Sequence, residues 1–285
     1  MNSNPLVRDR KLYNFIKISL TKGYSRHKIP KKIIDKIIDA LSHSNLRHAS
    51  RIISHVIKNP LFIERRKKYE SNYIRYKTIW KFIKNDVKKN DVVLDVGCGK
   101  GHIAHVIIKE RKIKKYIGSD LRLPSDVKNF NSKKIKFLKQ KSETSISVPN
   151  FSIDVILLID SLHHMHFKTQ EKLLKLIKNK LKPNGKIIIF EYTFSNLQRP
   201  TLRNYVTQNF LKLNLTQKLM YLRIMDWLAN VAVLKRKIPM PYSFRTYEEW
   251  KKLFINLDYK IAKSKFIGFP KEFFHQGPYC LFVLK

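Results

Sequence analysis

One ten-residue segment constrains this chain more than any other: Val92-Val93-Leu94-Asp95-Val96-Gly97-Cys98-Gly99-Lys100-Gly101. Its first half reads as a buried strand, and its three glycines form a turn that opens a helix. Glycine reaches positive φ without steric cost and lets a ligand approach the backbone, while the start of the next helix offers unpaired N–H groups. A strand, turn and helix of this kind bind a cofactor of the nucleoside type. The spacing is G-x-G-x-G rather than the G-x-G-x-x-G of dinucleotide sites, and Asp95 stands where those sites keep an apolar residue. Nicotinamide nucleotides are therefore disfavoured.

The sequence around this segment alternates between strands and helices, the pattern of an α/β fold with a mostly parallel sheet covered on both faces. After the strand at 92–96 we expect a helix over 99–111 and strands over 116–119, 135–138 and 154–159. An amphipathic helix over 170–181, a turn at Pro183-Asn184-Gly185 and a strand over 186–191 follow. Residues 197–237 read as helix up to Pro239 and Pro241. A helix over 246–257 and strands over 259–266 and 279–284 complete seven strands, the last two joined without a helix.

Ahead of the sheet, residues 8–59 read as helices, with Ile33, Ile34, Ile37, Ile38 and Leu41 forming one apolar stripe. Residues 63–84 read as a single helix whose aromatic face carries Tyr69, Tyr73, Tyr76 and Trp80. The expected division is a helical N-terminal extension over 1–62 and a cofactor domain over 63–285 with a helical insertion at 197–238.

Asp120 closes the second strand, Tyr116-Ile117-Gly118-Ser119-Asp120, about twenty residues beyond the glycine turn. A carboxylate there can accept both hydroxyls of a ribose; the alternative is a surface acid capping a turn. Three further blocks follow in order: Phe151-Ser152-Ile153-Asp154-Val155-Ile156, Asp160-Ser161-Leu162-His163-His164-Met165 and Leu181-Lys182-Pro183-Asn184-Gly185-Lys186-Ile187.

With these blocks the chain resembles the class I, Rossmann-like S-adenosylmethionine-dependent methyltransferases, in their small-molecule and lipid branch, from about residue 77 to the end. The resemblance implies a seven-stranded sheet with an antiparallel last strand, S-adenosylmethionine as cofactor, and a lid or substrate-binding role for the N-terminal extension over 1–62. It implies that Gly97, Cys98 and Gly99, in the loop closed by Gly101, contact the methionine part, that Asp95 supports the loop and that Asp120 holds the ribose. Family members often place an Asp after the third strand for adenine. Here the segment reads Lys139-Gln140-Lys141-Ser142-Glu143-Thr144, so Ser142 or Glu143 is the nearest candidate.

Methyl transfer is an in-line displacement at an activated carbon, so the protein must chiefly position a nucleophile and exclude water, with a base only where that nucleophile loses a proton. Asp160, His163 and His164 follow the fourth strand, at the sheet edge where ligands collect. Either histidine can deprotonate a hydroxyl, and Asp160 can orient the acceptor or the cofactor's amino group; the alternative is a structural turn. No metal is expected, because adjacent histidines diverge and no acid or cysteine cluster completes a ligand set. Cys98 reads as a small loop residue rather than a nucleophile.

The acceptor is less defined. After the fourth strand the chain has neither the Asn/Asp-Pro-Pro-aromatic segment of base amino-methyltransferases nor the Pro-Cys pair of cytosine-C5 enzymes. A small-molecule or lipid-like acceptor is the first expectation, methylated at an O, N or C centre. Lys and Arg number 59 against 21 Asp and Glu, a formal net charge of +38, so RNA is a second candidate acceptor and an anionic membrane a candidate contact. A non-catalytic cofactor-binding protein is the third reading. Leu219, Leu222, Met225, Trp227, Leu228, Val231 and Leu234, flanked by Lys218 and by Lys235, Arg236 and Lys237, suggest a cover over an apolar acceptor whose basic ends touch a membrane; an ordinary helical cover on the core is the alternative. Two cysteines make no disulfide framework, and residues 1–20 lack an apolar leader, so a cytoplasmic location is expected, with membrane contact at most peripheral.

Overall fold

A computed structural model describes residues 9–43, 45–111, 113–124, 127, 133–197, 204–275 and 277–285. The chain forms two compact units, one from residues 1–75, 195–238 and 268–278, the other from 76–194, 239–267 and 279–285.

The first unit begins with α1 (Arg10–Arg26), α2 (Lys31–His43), α3 (Leu46–Val56) and α4 (Pro60–Ser71). Asp9 caps α1 by accepting from Leu12 N at 2.9 Å. Leu12, Phe15, Ile16, Ser19, Leu20 and Gly23 bury one face at helical spacing. In α2, Ile33, Ile34, Ile37, Ile38 and Leu41 are buried, the stripe expected from the sequence. The helix expected over 63–84 is instead two, α4 and α5 (Ile74–Ile83). Asn72 Nδ2 donates to Lys68 O at 2.8 Å and Tyr73 takes φ 52°, a left-handed step that ends the first helix. The supposed single aromatic face is thereby split.

The second unit holds the sheet: β1 (Val92–Val96), β2 (Lys115–Asp120), β3 (Ile135–Lys139), β4 (Ile153–Ile159), β5 (Leu181–Tyr192), β6 (Ile261–Gly268) and β7 (Tyr279–Leu284). Its order is β3-β2-β1-β4-β5-β7-β6. The pairs from β3 to β5 are parallel, while β7 runs antiparallel to β5, Ile187 facing Leu284 and Tyr192 facing Tyr279. From β1 the chain steps one way to β2 and β3, and β4 starts the other wing. Given that strand order, the right-handed rule for parallel crossovers assigns α6 (His102–Glu110) and α7 (Phe167–Lys178) to opposite faces. The crevice between β1 and β4 is the switch point of the topology.

Val155, Ile156, Leu157 and Leu158 of β4 are fully buried, each contributing about 1.5–3 kcal/mol relative to exposure. The fifth strand starts earlier than the expected 186: Ile153 pairs with Leu181 and Val155 with Lys186, so the Pro183-Asn184-Gly185 turn is a bulge inside β5. Lys182 uses the bulge to reach both oxygens of Asp154 at 2.9 and 2.8 Å, and Asp154 also accepts from Val92 N. Gln170, Leu173, Leu174 and Ile177 bury one face of α7.

In place of the continuous helix expected over 197–237 there are α8 (Tyr205–Leu211), α9 (Leu215–Trp227) and a π-helical turn (Leu228–Val233); residues 198–203 lie outside the described residues. Phe15, Phe210, Tyr221 and Phe269 form an aromatic cluster in the first unit, with ring centroids 4.8 to 5.9 Å apart. Lys218, expected as a basic end facing a membrane, is 3% exposed and donates to Ser195 O at 3.0 Å. Burial of its aliphatic stem with the ammonium on a carbonyl removes it from any outer surface. The last helix, α10 (Tyr247–Asn256), starts at a Thr246–Glu249 capping box.

Candidate active site

The glycine turn leaves β1 at the switch point. Gly97, Gly99 and Gly101 have φ of 78°, 53° and 66°, left-handed values that explain why glycine stands at each. A Cβ on Gly97 would lie 2.7 Å from Ser161 Cβ, so the turn runs hard against the residues that follow β4. A Cβ on Gly99 would meet nothing within 4 Å, which marks open space beside the backbone. The N–H groups of Gly97 and Cys98 donate to Ser119 O at 2.8 and 3.2 Å, tying the turn to β2.

Asp120 holds the same turn from the side. Its Oδ2 accepts from Gly99 N and its Oδ1 from Arg122 N, both at 2.8 Å. Asp95 lies beneath, 2% exposed, and accepts the Tyr116 hydroxyl at 2.5 Å on Oδ2. Its Oδ1 is buried and has no hydrogen-bond partner among the described residues. Burial pushes the Asp95 carboxyl up to about 7; the Tyr116 hydrogen bond opposes this rise and the Asp120 charge adds to it. Cys98 is half-buried, and burial raises its thiol, which suits a small packing residue and not a thiolate nucleophile.

A second cluster follows β4. Asp160 has φ 50°, a left-handed value that costs a non-glycine residue about 1–3 kcal/mol and recurs at functional sites. Next comes a single 3₁₀ turn, Leu162–His164. Glu191, fully buried near the end of β5, accepts three hydrogen bonds: from Leu162 N at 2.8 Å, Tyr192 N at 2.7 Å and His163 Nδ1 at 2.5 Å. The His163 ring stacks on Phe244 at 5.5 Å and sits 4.1 Å from the ring of His164. His164 Nδ1 lies 3.3 Å from Pro239 O. Gln170 anchors the turn from below, donating to Leu162 O, Met165 O and Ser243 O. Arg245 Nε donates to its Oε1 at 2.9 Å.

A family profile for a methyltransferase domain matches residues 62–260. The chain belongs to this methyltransferase family. In fold this methyltransferase matches a Haloferax volcanii methyltransferase in complex with the Trm112 methyltransferase activator, with TM-score 0.53, 13% identity, and coverage of 81% of this chain and 96% of that one. It also matches the Burkholderia thailandensis 1,6-didemethyltoxoflavin-N1-methyltransferase with bound 1,6-didemethyltoxoflavin and S-adenosylhomocysteine, with TM-score 0.52, 15% identity, and coverage of 85% and 89%. No curated protein matches the chain.

The residues of the methyltransferase fit an S-adenosyl cofactor. Asp95 Oδ1, Ser119 Oγ, Gln140 Nε2 and Ser161 Oγ are buried polar atoms without a partner among the described residues, and they sit at or just past the carboxyl ends of β1, β2, β3 and β4. Each unpaired group of this kind costs about 1–3 kcal/mol, so four in a row along one edge call for a polar ligand. Asp120 and Asp160 also stand at strand ends on that edge, a pair of acids suited to a cationic ligand.

The structure brings Asp95, Gly97, Cys98, Gly99 and Asp120 into one hydrogen-bonded or packed turn, with Gly101 N closing it onto Cys98 O at 2.9 Å. Asp160, His163 and His164 follow β4, further along the same edge. Ser142 and Glu143 are not joined to either group: Ser142 is exposed and its carbonyl accepts from Ser145 N. Gln140 is the buried polar residue beside Asp120, donating its N–H to Asp120 O at 2.8 Å. Sequence reasoning missed Gln140, Glu191 and Gln170. The signal for Glu191 was present, a lone acid closing the apolar run Ile187-Ile188-Ile189-Phe190.

Proposed function

We propose that this methyltransferase transfers a methyl group from S-adenosylmethionine to an oxygen or nitrogen of a small-molecule or lipid-like acceptor, with His163 as the base. The observation that carries the reading is the Glu191–His163 pair. When Nδ1–H donates to Glu191 Oε1, the lone pair of the neutral imidazole is on Nε2, the atom assigned to take the acceptor's proton. Glu191 orients the ring, steadies it once charged and, through Leu162 N, fixes the turn that carries it.

The cofactor-binding part rests on Asp95, Gly97, Cys98, Gly99, Gly101 and Asp120. Asp120 would accept the ribose hydroxyls, its fold-held position set by Gly99 N and Arg122 N. Asp160 would receive the cofactor's amino group, and Gln140 is a better-placed adenine partner than Ser142 or Glu143. Bound there, S-adenosylmethionine supplies a methyl carbon activated by its sulfonium. The small-molecule class is supported by the Asp160-Ser161-Leu162-His163-His164 sequence, which lacks both base-methylating signatures, and by the acceptor of the Burkholderia enzyme of like fold.

Incubation with methyl-labelled cofactor and fractionated cell extract tests the reading: label should enter the small-molecule or lipid fraction, and label confined to RNA would overturn it. On the acceptor so found, His163→Gln, which keeps a donor for Glu191, should lower kcat roughly 10²–10⁴-fold with cofactor affinity unchanged. An unaltered kcat would remove His163 as base.

A further inference from the structure

We infer that the groove between α2 and α3 is a docking site for an anionic phospholipid, through which the chain contacts a membrane surface. The inference is independent of methyl transfer. Two adjoining hollows, of about 560 and 410 Å³, share Lys36, His55 and Val56 and so form one groove. Its floor is apolar, built from Ala40, Ile52 and Val56 with Ile33 at one end. Its rim is cationic, with Lys32, Lys36, Arg51 and Lys58.

The sequence produces this arrangement directly. Lys32 and Lys36 are one helical turn apart on α2, as Arg51 and His55 are on α3, so each wall carries its charges at neighbouring positions along one ridge. Lys31 is ion-paired with Asp35, whereas Lys32, Lys36, Arg51 and Lys58 have no ion-pair partner among the described residues. Asp39 is the single acid in the lining. Uncompensated cations around an apolar floor repel one another, and the lowest-energy occupant carries negative charge at the rim and hydrocarbon at the floor.

A phospholipid does both, with its phosphate on the lysines and arginine and the first acyl carbons on Ile52 and Val56. A nucleic-acid strand would satisfy the rim alone, because its bases need aromatic platforms and the groove offers no ring besides His55. No described helix is long and apolar enough to cross a membrane, so the contact would be peripheral.

Sedimentation of the full chain with phosphatidylcholine vesicles, with and without phosphatidylglycerol, tests the proposal. Wild type should bind only the phosphatidylglycerol-containing vesicles. Lys36→Gln with Arg51→Gln should lower partitioning roughly thirtyfold, the equivalent of about 1 kcal/mol for each basic group lost near an anionic surface. Ile52→Ala should lower it roughly tenfold by withdrawing carbon from the acyl region. Lys109→Gln with Lys114→Gln, the same charge change at exposed positions of the other unit, should leave binding within about twofold of wild type. Circular dichroism and thermal melts matching wild type establish that the variants fold. Equal losses from the two double variants would overturn the proposal as generic charge attraction. So would failure of wild type to prefer phosphatidylglycerol, an Ile52→Ala chain that partitions like wild type, or oligouridylate binding that depends on Lys36 and Arg51 while vesicle binding does not.

Discussion

At the end of β1, Asp95 has one hydrogen-bond donor for two buried oxygens; near the end of β5, Glu191 has three donors and is fully buried. Both carboxylates belong to the same edge of the same sheet. Asp95 lies under the glycine turn with an oxygen unmatched, and burial drives its carboxyl toward the neutral form. Glu191 is matched from within by two backbone N–H groups and an imidazole. A buried acid left incomplete marks where a ligand is to come, and one completed by the protein marks a part already assembled before any ligand arrives.

The largest effect that sharpens this contrast is expected from Glu191→Ala. It strands Leu162 N, Tyr192 N and His163 in the interior and should cost about 3–5 kcal/mol in urea unfolding. A loss below about 1 kcal/mol would show that the three hydrogen bonds do not hold the turn.

Asp95 should respond to pH in the opposite sense from an ion-paired acid. The folded chain keeps the Asp95 proton up to about 7, while the ordinary value is 3.8. Between those values the folded state binds more protons than the unfolded one, so this group's contribution is complete below the ordinary value and declines as pH rises through about 7. Asp95→Asn abolishes that decline. Relative to wild type the variant should gain up to a few kcal/mol between about pH 5 and about pH 8. Parallel unfolding curves for the two chains across that range would place the Asp95 proton elsewhere.

The smallest effect concerns the ligand. Asp120→Ala should weaken S-adenosylmethionine by about 1.5–3 kcal/mol in calorimetry, the worth of hydrogen bonds to a charged group. Unchanged affinity would return Asp120 to the role of a turn cap, for which its bonds to Gly99 N and Arg122 N already suffice.

The glycine turn and the acid beside it were legible because their features are local. Gly97, Gly99 and Gly101 are required by backbone angles within one turn, and Asp120 closes the adjacent strand, one residue beyond the Val96–Ser119 pair. The boundaries of β7 follow from a continuous apolar run, and those of β1 from an apolar run broken only by Asp95; both agree with the structure. The split between α4 and α5 was not legible, because Asn72 and Tyr73 interrupt no periodicity and act through one side-chain bond and one left-handed φ. The early start of β5 was hidden by Pro183, Asn184 and Gly185, turn residues that here form a bulge. Place in a motif points to Ser142 and Glu143 after the third strand, whereas the burial of Gln140 there depends on packing that the local sequence does not show.

By itself the amino-acid order determined which segments become strands, where glycine must stand and which family the chain joins, since those depend on near neighbours along the chain. Only the tertiary structure decided that Glu191 meets His163, 28 residues away, and that four unpartnered polar atoms fall along one edge. Such meetings are set by strand order and register, which bring together the ends of β1, β2, β3, β4 and β5 however far apart they lie in sequence.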